Sequence, residues 1–112
     1  MTDAVTVGRL AALADLVLQD RLGKLRAAAA ARARTAGQIA ALAERPVAGM
    51  DPLVAAQASL RYQQWADARR QEMNLVLARQ TAAWMTAHAR AAEAFGRAEV
   101  IATLASRARR KP

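Results

Sequence analysis

Apolar residues in the first third of the chain recur at intervals that alternate four and three. They run Leu18, Leu22, Leu25, Ala29, Arg32, Ala36, Ile39 and Ala43. That is the heptad seam of a left-handed coiled coil. Leu10, Leu13 and Val17 continue it less regularly toward the start. Arg32 interrupts the apolar run, but its stem can pack while its charge reaches water. A second seam follows as Tyr62, Ala66, Arg69, Met73, Leu77, Gln80, Trp84, Ala87, Ala91, Phe95, Ala98 and Ala102. It carries an extra interval of four between Ala91 and Phe95, which predicts a local shift of supercoiling. Between the seams lies Arg45-Pro46-Val47-Ala48-Gly49-Met50-Asp51-Pro52. Pro46 removes a backbone donor and forces Arg45 out of helical geometry, so the first helix should stop near Glu44. Gly49 lets the chain reverse. Asp51 followed by Pro52 reads as an N-cap with proline at the first helical position.

The predicted fold is therefore all-α: a single two-helix antiparallel coiled-coil hairpin over residues 1–112, with a longer second helix. Helix one spans about residues 6–44, the loop 45–51 and helix two about 52–108. At 1.5 Å per residue the helices measure roughly 58 and 84 Å. Folding back symmetrically about the loop places residue i opposite about residue 96 − i, so Thr6 meets Arg90. Everything from Ala91 onward then projects past the first helix, carrying Phe95, Val100, Ile101 and Leu104. Unpaired apolar positions of that kind predict a partner or self-association. Gly96 costs about 1 kcal/mol relative to alanine, so the last segment is expected to bend or fray.

Composition narrows the class of job. The chain has 112 residues, 32 of them alanine and only four aromatic. Alanine is the strongest helix former and allows two helices to approach closely. With no cysteine, disulfides and thiolate metal sites are excluded. Lack of a signal peptide or a long apolar run points to the cytoplasm. The formal net charge is +8; a basic surface attracts nucleic acid, anionic lipid or an acidic protein. Fifteen of the seventeen cations are arginine, which codon bias in a GC-rich genome would also produce alongside the alanine excess.

No phosphate loop, dinucleotide fingerprint or nucleophile elbow is present, and the nine carboxylates are dispersed, some of them, such as Asp67 with Arg70 and Glu93 with Arg97, in helix-surface pairs. His88 is the sole histidine, without the companions a metal or catalytic site needs. The chain is read as a non-enzyme with no cofactor. The densest aromatic and cationic group is Arg61, Tyr62, Trp65, Arg69 and Arg70. Arg61 and Arg69 each lie four residues from Trp65, within reach of cation–π stacking, and these residue types dominate interface hot spots. The plain alternative is that the rings widen the seam and the arginines are solvated. Leu60, Leu75, Val76 and Met85 fall partly off the seam and either form a second stripe for a partner helix or are scattered surface hydrophobes. Trp84 and Met73 are read as core. The basic tail Arg107, Arg109, Arg110 and Lys111 either complements the helix dipole or offers a docking patch.

The segment Gln64-Trp65-Ala66-Asp67-Ala68-Arg69-Arg70-Gln71-Glu72-Met73-Asn74-Leu75, its continuation Leu77-Ala78-Arg79, and Ala94-Phe95-Gly96-Arg97-Ala98-Glu99 resemble the FliJ/YscO family of type III secretion. The resemblance implies a two-stranded antiparallel coiled coil similar to the central stalk of rotary ATPases. It implies insertion of the terminal ends into a hexameric export ATPase, contact with the export gate through the coiled-coil body, and escort of other chaperones. By position it makes Arg61, Tyr62, Trp65, Arg69, Arg70 and Asn74 candidates for gate contact. Phe95, Ile101, Leu104, Arg107, Arg109 and Arg110 become candidates for the ATPase end. This chain is shorter than usual members and poor in Glu, Gln and Lys. The expected function is a non-enzymatic adaptor of a flagellar-type export apparatus. The alternatives are a basic nucleic-acid-associated hairpin and a self-associating structural coiled coil.

Overall fold

The computed structural model describes residues 2–43, 49 and 51–110. It contains two helices, α1 (Thr2–Ala41) and α2 (Pro52–Arg110), and is a helical hairpin with a longer second helix. Asp3 in the first turn of α1 and Arg107, Arg109 and Arg110 in the last turn of α2 complement the helix dipoles. Asp51 acts as the N-cap of α2: its carbonyl accepts the first helical bond, from the Ala55 amide at 2.8 Å. Gly49 has φ +82°, a conformation that glycine reaches without the Cβ clash of other residues. The predicted stop at Glu44 and the reversal over Arg45–Ala48 lie outside the described residues. α1 already ends at Ala41, where the Leu42 and Ala43 amides bond carbonyls three residues back, at 3.1 and 3.2 Å. This is the tightened last turn common at helix ends. α2 passes through Gly96 without a break and stays helical to Arg110.

The chain divides into two compact units, Met1–Ala29 with Ala83–Pro112, and Ala30–Ala82. In the first, the buried and half-buried positions of α1 are Ala4, Val7, Ala11, Ala14, Leu18, Arg21, Leu22, Leu25 and Ala28. Those of α2 are Trp84, Ala87, Ala91, Ala94, Ala98, Ile101, Ala105, Ser106 and Ala108. Apart from the flanking Leu22 and Ser106, both sets alternate three and four without interruption. One groove is lined by Ala4, Gly8 and Ala11 together with Ala102, Ala105 and Arg109. Another is lined by Arg21 and Lys24 together with Ala83, Ala87 and Arg90. Residue i of α1 therefore faces residue 112 − i of α2, not 96 − i.

Facing positions alternate in size. Val7 meets Ala105, Ala11 meets Ile101, Leu18 meets Ala94, Leu25 meets Ala87 and Ala28 meets Trp84. In these pairs a large side chain on one helix is accommodated by alanine on the other, while Ala4 with Ala108 and Ala14 with Ala98 are small on both sides.

Two expectations fall here. The end of α2 does not project past α1, because Ala91, Ala94 and Ala105 are buried against the first half of α1, Ala105 opposite Val7 near its start. The seam also takes Ala94 instead of Phe95 and Ile101 and Ala105 instead of Ala102, so no extra interval is needed. Phe95 is 56 % exposed. Ranking positions by hydrophobicity had favoured the phenylalanine, whereas close approach favours the methyl group. The same error shifted the start of α1, where Leu10, Leu13 and Val17 are exposed and Ala11 and Ala14 pack.

In the second unit the same spacing gives Arg32 opposite Gln80, Thr35 opposite Leu77, Ile39 opposite Met73 and Leu42 opposite Arg70. Met73 and Thr35 are buried there. Arg32 Nε donates to Thr81 Oγ1 at 3.0 Å, but Arg32 is exposed and Ala31 takes the half-buried position, so the arginine flanks the seam instead of sitting on it. Gln80 Oε1 is buried without a hydrogen-bond partner. α1 ends opposite this region, so the excess length of α2 lies at its beginning, from Pro52 to about Arg69.

Candidate functional site

The α2 turns on either side of Ala66 carry the aromatic and cationic group. Ala66 is 2 % exposed and fixes which side of the helix faces inward. Tyr62, four residues back, is half-buried, and its hydroxyl donates to the Leu42 carbonyl at 3.2 Å. Trp65 lies one position off this line and is 56 % exposed. Its indole stacks on Tyr62, with ring centroids 5.7 Å apart and planes tilted 42°. The tilted ring pair restrains the indole while more than half of Trp65 stays open to solvent.

The arginines divide. Arg69 Nη1 bonds Glu72 at 3.2 Å and Arg70 Nη1 bonds Asp67 at 2.6 Å. Both are pairs within one helix, each worth a few tenths of a kcal/mol. Arg70, not Arg69, occupies the seam. Arg61 and Asn74 are exposed. Of the six residues assigned to gate contact, Arg61, Trp65, Arg69 and Asn74 are thus surface groups, while Tyr62 and Arg70 also support the fold. A groove of about 440 Å³ lies beside them, lined by Leu42, Ala43, Ser59, Tyr62, Gln63, Ala66, Asp67 and Arg70. The Tyr62 hydroxyl and the Asp67–Arg70 pair are already engaged with neighbours, so this groove has structural polar groups.

In the first unit, the other six candidates split in the same way. Phe95 and Leu104 are exposed, as are Arg107, Arg109 and Arg110. Ile101 is half-buried opposite Ala11 and belongs to the seam. Trp84 is half-buried and stacks on the exposed His88, with centroids 5.5 Å apart.

The sequence reading missed one grouping. Arg21, Lys24 and Arg90 line a single groove of about 270 Å³ with Ala83, Thr86 and Ala87. These cations lie on different helices, and the 96 − i pairing separates them. The signal that finds them is size complementarity between facing seam positions, which selects 112 − i. Among the described residues no three of His, Cys, Asp and Glu come together as a metal site would require, and no helix is long and apolar enough to cross a membrane.

No family model matches the chain, and no curated protein or solved structure matches it.

Proposed function

We propose that this protein is a non-enzymatic coiled-coil adaptor of a flagellar-type export apparatus, docking to an export ATPase and to the export gate. One observation carries the reading: a two-stranded antiparallel coiled coil whose second helix outruns the first, with an indole and arginines displayed on the unmatched turns. The hairpin with a longer second helix is the form the FliJ/YscO resemblance implies, although the unmatched length lies at the beginning of that helix and not at the end assigned to the ATPase.

Both chain ends fall in one unit, where Ala4 and Arg109 line the same groove. The ATPase end therefore consists of two helix termini side by side, with Arg107, Arg109 and Arg110 exposed on one of them. The gate-facing group is Arg61, Trp65, Arg69 and Asn74. Hydrolysis states of the ring would bias the rod mechanically, with no chemistry in the adaptor itself.

Deleting residues 95–112 would strip the cover from Ala4 to Val17, so substitution is the cleaner test. The triple variant Arg107→Glu, Arg109→Glu and Arg110→Glu should lose capture of the cognate export ATPase while keeping its helical circular dichroism. Undiminished capture by that variant, or no capture by the native protein, overturns the assignment.

A further inference from the structure

On one side of the first unit, five large apolar side chains lie uncovered. Leu10, Leu13 and Val17 of α1 and Val100 and Leu104 of α2 are each between 48 and 61 % exposed. All five sit one position before a seam residue. The groove with Lys24, Ala83, Thr86 and Arg90 shows that such positions of both helices share one side. The patch is therefore continuous across the two helices, which is beyond what scattered surface hydrophobes produce.

We propose that this face packs against the same face of a second copy of the chain, forming a four-helix bundle. The charges around the patch select that occupant. The chain carries a net +8, yet on this face Lys24 pairs with Asp20 and Arg97 pairs with Glu93. What remains is Asp3 on α1 against Arg90 and Arg107 on α2, so the excess positive charge lies mostly elsewhere. An acidic partner would be drawn to the other surfaces.

A twofold axis parallel to the helices sets α1 of one copy on α2 of the other, level for level. Leu10 then meets Leu104, Leu13 meets Val100, and Asp3 meets Arg107. An isologous contact requires this kind of self-complementarity. From Asp3 to Lys24 the face runs roughly 32 Å, and two helices make it roughly 20 Å wide. That footprint approaches the per-partner area of about 800 Å² found in stable interfaces. The inference does not rest on the export reading; Arg107 belongs to both contacts, and the Leu13 and Val100 variants below leave it unchanged, so the two tests fail independently.

The test is sedimentation equilibrium of the full chain. The native protein should be a dimer in the micromolar range. Leu13→Glu alone and Val100→Lys alone each place like charges in the contact and should raise the dissociation constant by about 100-fold or more. Mixing the two variants should restore a heterodimer, because Glu then faces Lys across one half of the contact and the other half is native. Leu75→Glu, an exposed substitution in the second unit, should leave the dimer intact. A native monomer at 100 times those concentrations, a Leu13→Glu dimer of native affinity, or a mixture that stays monomeric each overturns the proposal. Far-UV circular dichroism of both single variants should match the native chain, since both positions lie off the seam.

Discussion

The unit built from the chain ends and the unit next to the loop solve the same packing problem with different side chains. At the chain ends the inward positions of α2 are largely alanine, and most of the large residues there point outward. Next to the loop the inward positions include Thr35, Ile39, Gln80, Leu77 and Met73. The first arrangement gains close approach and cheap helix formation. The second contributes polar and bulky groups that can tell one alignment of the helices from another. A uniform alanine seam slides by a heptad at little cost. The layers around Met73 do not, because a slide of one heptad toward the loop sets Ile39 opposite Ala66 in place of Met73.

The contrast can be broken at its strongest point first. Met73 is the largest side chain among the buried residues; Met73→Ala should destabilise by about 3 kcal/mol in urea denaturation, through lost burial and a cavity. A loss under ~0.5 kcal/mol would mean that the loop-side unit does not depend on its bulky layer.

At the chain ends the sign reverses with size. Ala94→Leu adds volume where a helix already abuts and should cost about 2 kcal/mol. The neighbouring Phe95→Ala should stay within about 0.5 kcal/mol, because the ring is exposed. If the phenylalanine substitution proved the more damaging of the two, the seam would run through Phe95.

A smaller effect sharpens the role of the polar seam residues. Gln80→Leu removes a buried oxygen with no partner and should stabilise by about 1 kcal/mol. Cysteine pairs introduced at facing positions should then crosslink in more than one alignment, where the native sequence gives one. Smallest of all is the Arg97–Glu93 pair on the surface; Arg97→Gln should change stability by less than about 0.5 kcal/mol, and less still at high salt.

Much of the fold was readable from the residue order. The heptad spacing, the proline and glycine break and the alanine content require two helices of unequal length, and local chemistry suffices to say so. Asp51 and Pro52 likewise mark the start of α2 by their own backbone preferences. Trp65 could be singled out as exposed because two helices leave an indole little to hide behind.

Alignment of the helices was not readable in that way. Hydrophobic rank chose Phe95 and Leu10, whereas the structure buries Ala94 and Ala11. A symmetric fold about the loop placed the unmatched segment at the end of α2, whereas it lies at the beginning. Both errors have one origin: what faces a residue across a seam depends on the sum of two side-chain volumes, and a single strand of sequence displays only one of them. The sequence by itself determined that there would be two helices and that the second would be the longer. Only the packing of one against the other decided that the small residues would go inside, that Arg21, Lys24 and Arg90 would meet, and that five large apolar side chains would be left on a common face.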